Sequence, residues 1–162
     1  MSKYIQRLIL TIPIALTLVG CSILEPSDEA QALEFARKAC DIEKRVADSG
    51  EIDENGDWTY IEVSNETSWN GRDISMVDLK EKVETIGTKA EEATSATLLD
   101  SKWQILSDDL NTMYAFVSRI YSMRKQGTFS YEGMDGERDF NKPLYSTDVT
   151  CKSVQAMLVE ND

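Results

Sequence analysis

Apolar positions along the chain step by three and four over most of its length. Ala32, Phe35, Ala39, Ile42 and Val46 form one such stripe, widened by Ala36, Cys40 and Ala47. It predicts a first helix opening at Asp28, with Gln31 completing a capping box, and stopping at Gly50. After Ser75, the positions Met76, Leu79, Val83, Ile86, Ala90, Ala93 and Thr97 make an unbroken heptad seam. The phase breaks near Asp100, where Ser101 to Gln104 read as a fresh capping box. A second seam then runs through Trp103, Leu106, Leu110, Met113, Val117 and Ile120 to a stop at Gly127. Two seams with a short break predict an antiparallel helical hairpin; one long helix with a stutter is the alternative. Ser146 to Asp148 supply a last cap, after which Cys151, Val154 and Leu158 face inward. The predicted fold is mainly α: a bundle of about four helices.

Two stretches break this pattern. Residues 51–74 carry turn formers (Asp53, Asn55, Gly56, Asp57, then Asn70-Gly71) around a β-branched and aromatic run from Trp58 to Val63. Residues 127–145 are punctuated by Gly127, Gly133, Gly136 and Pro143. Together the two loops hold seven of the thirteen aromatic residues: Trp58, Tyr60, Trp69, Phe129, Tyr131, Phe140 and Tyr145. Trp58 to Val63 is expected to pair with Thr128 to Tyr131 as a small β-hairpin-like cover, with the loops side by side. Two roles are open to the aromatics. They roof the bundle as a second core, or Trp58, Tyr60, Trp69, Phe129 and Tyr131 form a platform for a glycan or a protein.

The amino end has a pattern of its own. Lys3 and Arg7 precede an apolar run from Leu8 to Val19, too short for a membrane span. It ends Leu18-Val19-Gly20-Cys21. This segment resembles the leader of bacterial lipoprotein precursors, whose lipobox reads Leu, a small or apolar residue, Gly or Ala, then Cys. The resemblance implies removal of residues 1–20 as a signal peptide and acylation of Cys21. It further implies anchoring on the extracytoplasmic face of a membrane, the outer membrane in a two-membrane cell given Ser22. Residues 21–27 would be the lipidated Cys and a short linker, and residues 28–162 the globular domain.

Charge and cysteine count refine this picture. The 162 residues carry 17 Lys+Arg and 29 Asp+Glu, a net charge of −12, and no His. Losing residues 1–20 removes two basic residues and no acidic one, leaving −14. Such acidity argues against nucleic acid and against adhesion to anionic lipid. Acylation of Cys21 leaves Cys40 and Cys151, an even pair that a non-cytoplasmic compartment allows to bridge. Two Cys without His do not make a zinc set, so no metal or cofactor is expected.

Short matches to catalytic or ligand motifs fail on context. Asp48-Ser49-Gly50 resembles an aspartic-protease triplet but is expected at a helix end. Ser122-x-x-Lys125 lacks the partner elements of a penicillin-binding site. Asp53 to Asp57 lacks the Gly and Glu of a calcium loop, with Trp58 and Ser64 in those places. Gly133-Met134-Asp135-Gly136 lacks the Lys-Ser/Thr of a phosphate loop. Asn65-Glu66-Thr67 is a glycosylation sequon by letter only. No catalytic residue is singled out. The expected role is a noncatalytic interaction or accessory lipoprotein with an envelope protein partner. A small carbohydrate- or peptidoglycan-binding module is the alternative, and a carboxylate-dependent hydrolase a distant third.

Overall fold

The computed structural model describes residues 26–44, 58–59, 74–130 and 132–162. Four helices dominate: α1 (Asp28–Ala39), α2 (Met76–Leu99), α3 (Gln104–Lys125) and α4 (Lys142–Glu160). A 3-10 turn, Ser101–Trp103, joins α2 to α3, and a π turn, Glu137–Asn141, leads into α4. Two short strands, β1 (Glu43–Lys44) and β2 (Trp58–Thr59), pair antiparallel.

Side-chain pairs fix the helix directions. Glu29 meets Lys102 and Asp41 meets Lys89, so α1 runs against the C-terminal half of α2. Thr94 bonds Ser107 near one end of α2–α3, and Arg124 donates to the Ile74 carbonyl at the other. Phe116 packs on Phe140 and Asp109 bonds Ser146, so α4 runs against α3. Each helix packs on the next and α4 returns to α1, giving an up-down-up-down four-helix bundle.

The core is made by the predicted seams. Leu79, Ile86, Ala90 and Ala93 of α2 are buried with Trp103, Leu106, Leu110, Met113, Val117 and Ile120. The α2 seam shifts at its ends: Met76 is exposed, and Ala96 rather than Thr97 enters the core, while the Thr97 hydroxyl donates to the Ala93 carbonyl. Alanines make up the buried face of α1 (Ala32, Ala36 and Ala39), and Ala90, Ala93 and Ala96 of α2, the helix on which α1 packs, are buried in the same core.

Several boundaries differ from the sequence reading. The α1 cap is Ser27, whose hydroxyl accepts from the Ala30 N–H, and Gln31 reaches back to the Pro26 carbonyl. Helix α1 stops at Ala39, well before Gly50. Asp41 takes a left-handed conformation (φ 52°), the Ile42 N–H donates to Arg37 O, and the Asp41 N–H donates to Lys38 O. That is a Schellman stop with Asp in the usual glycine place. Ile42, expected to extend the helical stripe, is instead the buried residue just past the stop. Strand β1 follows, and it takes β2 as its partner. The expected pairing of Trp58–Val63 with Thr128–Tyr131 is therefore replaced at Trp58–Thr59; Thr128 to Ser130 form no strand. At the α2–α3 connection the cap is Asp100, not Ser101: its carboxylate accepts from the Lys102 N–H. Helix α4 begins at Lys142, ahead of the predicted Ser146 cap, because Pro143 fits the first turn of a helix. The Ser75 cap and the Gly127 stop stand where expected: Ser75 Oγ accepts from the Asp78 N–H, and Gly127 has φ 69°.

Candidate functional site

Two of the three cysteines are joined. Cys40, the residue capping α1, bonds Cys151 in the middle of α4 across 111 residues of sequence, with Cα atoms 5.5 Å apart. Both are buried. The surroundings of Cys40 are ordered from both sides. Arg37 makes a two-pronged bond to Glu34 at 2.8 and 2.7 Å and donates to the Ile42 carbonyl. That bond holds the Glu34 carboxyl below its ordinary range. Asp41 pairs with Lys89 of α2 at 2.5 Å. One short stretch thus ties α1 to α2 by charge and to α4 by a covalent bond. Burial of the sulfur atoms shields the bond from thiols in solution and makes it a structural clasp.

The aromatic platform separates into parts. Phe129 is half-buried against the core, and the Arg124 guanidinium lies 5.1 Å from its ring centroid. The same Arg124 donates to the Ile74 carbonyl at 2.6 Å, so the end of one loop and the start of the other meet on one side chain. Phe140 is buried against Phe116. Both rings serve the core, whereas Tyr145 stands exposed on α4. Trp58 lies in β2, and Tyr60, Trp69 and Tyr131 fall outside the described residues, as do Cys21, Asp48 to Gly50, Asp53 to Asp57 and Asn65 to Thr67.

Ser122 and Lys125 lie in the exposed last turns of α3, where Gln126 donates to the Ser122 hydroxyl. Asp135 caps the π turn by accepting from the Arg138 N–H at 3.0 Å. Both motifs therefore have local structural roles.

Two features have no signature in the sequence pattern. The first is an open groove of about 310 Å³ between α2 and α3, lined by Gly87, Ala90, Glu91, Thr94, Asn111 and Tyr114 among others. A Cβ on Gly87 would come within 3.0 Å of the Tyr114 ring, so glycine lets that ring lie across the helix. The polar groups there serve one another: Asn111 donates to the Ser107 carbonyl, and the Thr94 and Ser107 hydroxyls bond at 3.2 Å. The second is Asp109. Burial pushes its carboxyl above the ordinary range despite a hydrogen bond with Ser146, the charge of neighbouring Asp108 adds to the rise, and its Oδ2 has no hydrogen-bond partner. One raised carboxyl can donate a proton, but the acid that influences it is the preceding residue in the same helix and not a partner across a cleft.

Among the described residues no group of three acidic or cysteine side chains is placed to hold a metal ion, and no helix is long and apolar enough to cross a membrane. No family model, curated protein or solved structure matches the chain.

Proposed function

We propose that the protein is a lipid-anchored, extracytoplasmic accessory lipoprotein of a bacterial envelope, acting through contact with an envelope protein and not through catalysis. The observation that carries this reading is the division of the three cysteines. Cys40 and Cys151 pair with each other inside the bundle, and the remaining Cys21 closes the Leu18-Val19-Gly20-Cys21 lipobox. A disulfide between buried cysteines agrees with an oxidising compartment outside the cytoplasm. Two or more acyl chains on Cys21 would anchor firmly where one would not.

The interaction role draws support from a bundle clasped at its first and last helices, which presents its surface with little reorganisation on binding. A glycan-binding role would have to rest on Trp58, Tyr60, Trp69 and Tyr131, because Phe129 is held by Arg124. Titration of peptidoglycan fragments against tryptophan fluorescence tests it, a saturable shift being its signature.

The anchor is tested by Cys21→Ser. The expected product is an uncut precursor carrying no lipid label. Normal cleavage and labelling of that variant would refute the anchor. Cross-linking in intact cells followed by mass spectrometry then identifies the envelope partner.

A further inference from the structure

Large apolar side chains left in water occur at both ends of this bundle, with Met76, Val77 and Tyr145 at one and Leu98, Ile105 and Val159 at the other, and what distinguishes the two ends is the tether. Leu98, in the last turn of α2, is 82% exposed, and Ile105, in the first turn of α3, is 62% exposed. They flank the Asp100–Trp103 connection. Val159, in the last turn of α4, is 58% exposed. It lies at the same end, because α4 runs against α3.

That end is also where the amino-terminal tether leaves. Lys102 in the connection reaches Glu29 in the first turn of α1 at 3.3 Å, so the start of α1 sits beside the α2–α3 turn. Only Ser22 to Ser27 separate Cys21 from α1, and six extended residues reach about 20 Å. The opposite end of the bundle is much farther away: α2 is 24 residues long, about 36 Å. An anchor on Cys21 therefore brings this end of the bundle, with the α2–α3 turn, the start of α1 and the end of α4, toward the bilayer before the opposite end.

Charge narrows the contact further. A domain with a net charge of −14 is repelled by anionic lipid over most of its surface, so a favourable contact has to be small and apolar. At the turn, Lys102 sits 2.9 Å from Asp100 and also holds Glu29, so two of the nearby carboxylates share a cation.

We infer that the α2–α3 end of the bundle, with Leu98 and Ile105 beside the turn, is the face that touches the lipid bilayer, the bundle standing end-on. This rests on acylation of Cys21 as proposed above. The orientation turns the opposite end, with Val77, toward partners away from the membrane.

The test uses the acylated protein in phosphatidylcholine vesicles. Single substitutions Leu98→Cys, Ile105→Cys and Val77→Cys are labelled with bimane; Cys40 and Cys151 are bonded and Cys21 is acylated, so the label reports the new thiol. Vesicles with brominated acyl chains should at least halve the emission at positions 98 and 105 and leave position 77 unchanged. Equal quenching at 77 and 98 would mean a bundle lying flat and would overturn the inference. So would unquenched labels at 98 and 105 on protein whose acylation is confirmed by mass, a result that would assign the patch to a protein partner. Mass spectrometry finding Cys21 unmodified overturns the anchor itself, and the orientation with it.

Discussion

The α2–α3 pair and the α1–α4 pair are built on different physics. Helices α2 and α3 are 24 and 22 residues long and meet along two matched apolar seams. Their register is set chiefly by side-chain packing, with the Thr94–Ser107 bond, the Asp100 turn and the Arg124–Ile74 bond closing the ends. Helix α1 has 12 residues, and its buried face is mostly alanine. Alanine buries little area, so packing alone holds α1 weakly. The disulfide to α4 makes good that deficit. One half of the bundle is specified by pattern, and the other by a covalent bond between residues far apart in sequence.

The sharpest way to break this contrast is in the α2–α3 seam. Leu110→Ala should cost about 2–5 kcal/mol, because Leu110 is 2% exposed and its removal leaves a cavity between helices. An unchanged urea midpoint would show that the seam is not the main support. Replacing Cys40 and Cys151 together by Ala should cost about 2–4 kcal/mol, the range for a long closed loop. Its signature should be local: hydrogen exchange in α1 speeds up most, and α2 and α3 keep their protection. Uniform loss across all four helices would mean that the clasp supports the whole bundle.

The two left-handed helix stops, at Asp41 and Gly127, refine the comparison. Gly127→Ala should destabilise by roughly 1–2 kcal/mol, because its left-handed conformation disfavours a Cβ. Asp41→Gly should stay within about 0.5 kcal/mol: relief of the same strain is offset by the lost Lys89 pair and a looser unfolded chain. Thermal melts of the two variants check both.

The smallest effect is expected at Asp109, and it depends on pH. Its folded-state pKa is raised, chiefly by burial, so the folded protein holds that proton more tightly than the unfolded chain. Stability is therefore lost as pH rises through the window above the ordinary aspartate value, and the penalty persists at neutral pH. Asp109→Asn should be the more stable protein at pH 7 and lose that advantage in acid. An advantage that does not vary with pH would place its cause elsewhere.

How far the sequence foretold this structure follows the same division. The α2–α3 pair was legible because a three-four spacing sustained over twenty residues has one geometric solution, and Ser75 and Gly127 mark its outer limits. The pairing of Cys40 with Cys151 was legible by count once Cys21 was set aside. The end of α1 was not, because Asp41 supplies a left-handed turn that local pattern assigns to glycine, and the apolar stripe runs on through Ile42 only because that residue is buried past the stop. The π turn and early start of α4 were hidden by the glycines before them. The groove at Gly87 and the half-buried Asp109 arise from contacts between helices, which no local window contains.

The clasp also orders events in time. Every chain is made amino end first, so Cys40 emerges long before Cys151, which lies 111 positions further along the sequence. During that interval the nearest thiol to Cys40 is Cys21, nineteen positions back. A bond between those two would trap α1 away from α4. Thioether formation at Cys21, as proposed above, would remove the competitor, so acylation would act as a proofreading step for oxidation: the modification that would fasten the protein would also leave Cys40 only its native partner to find.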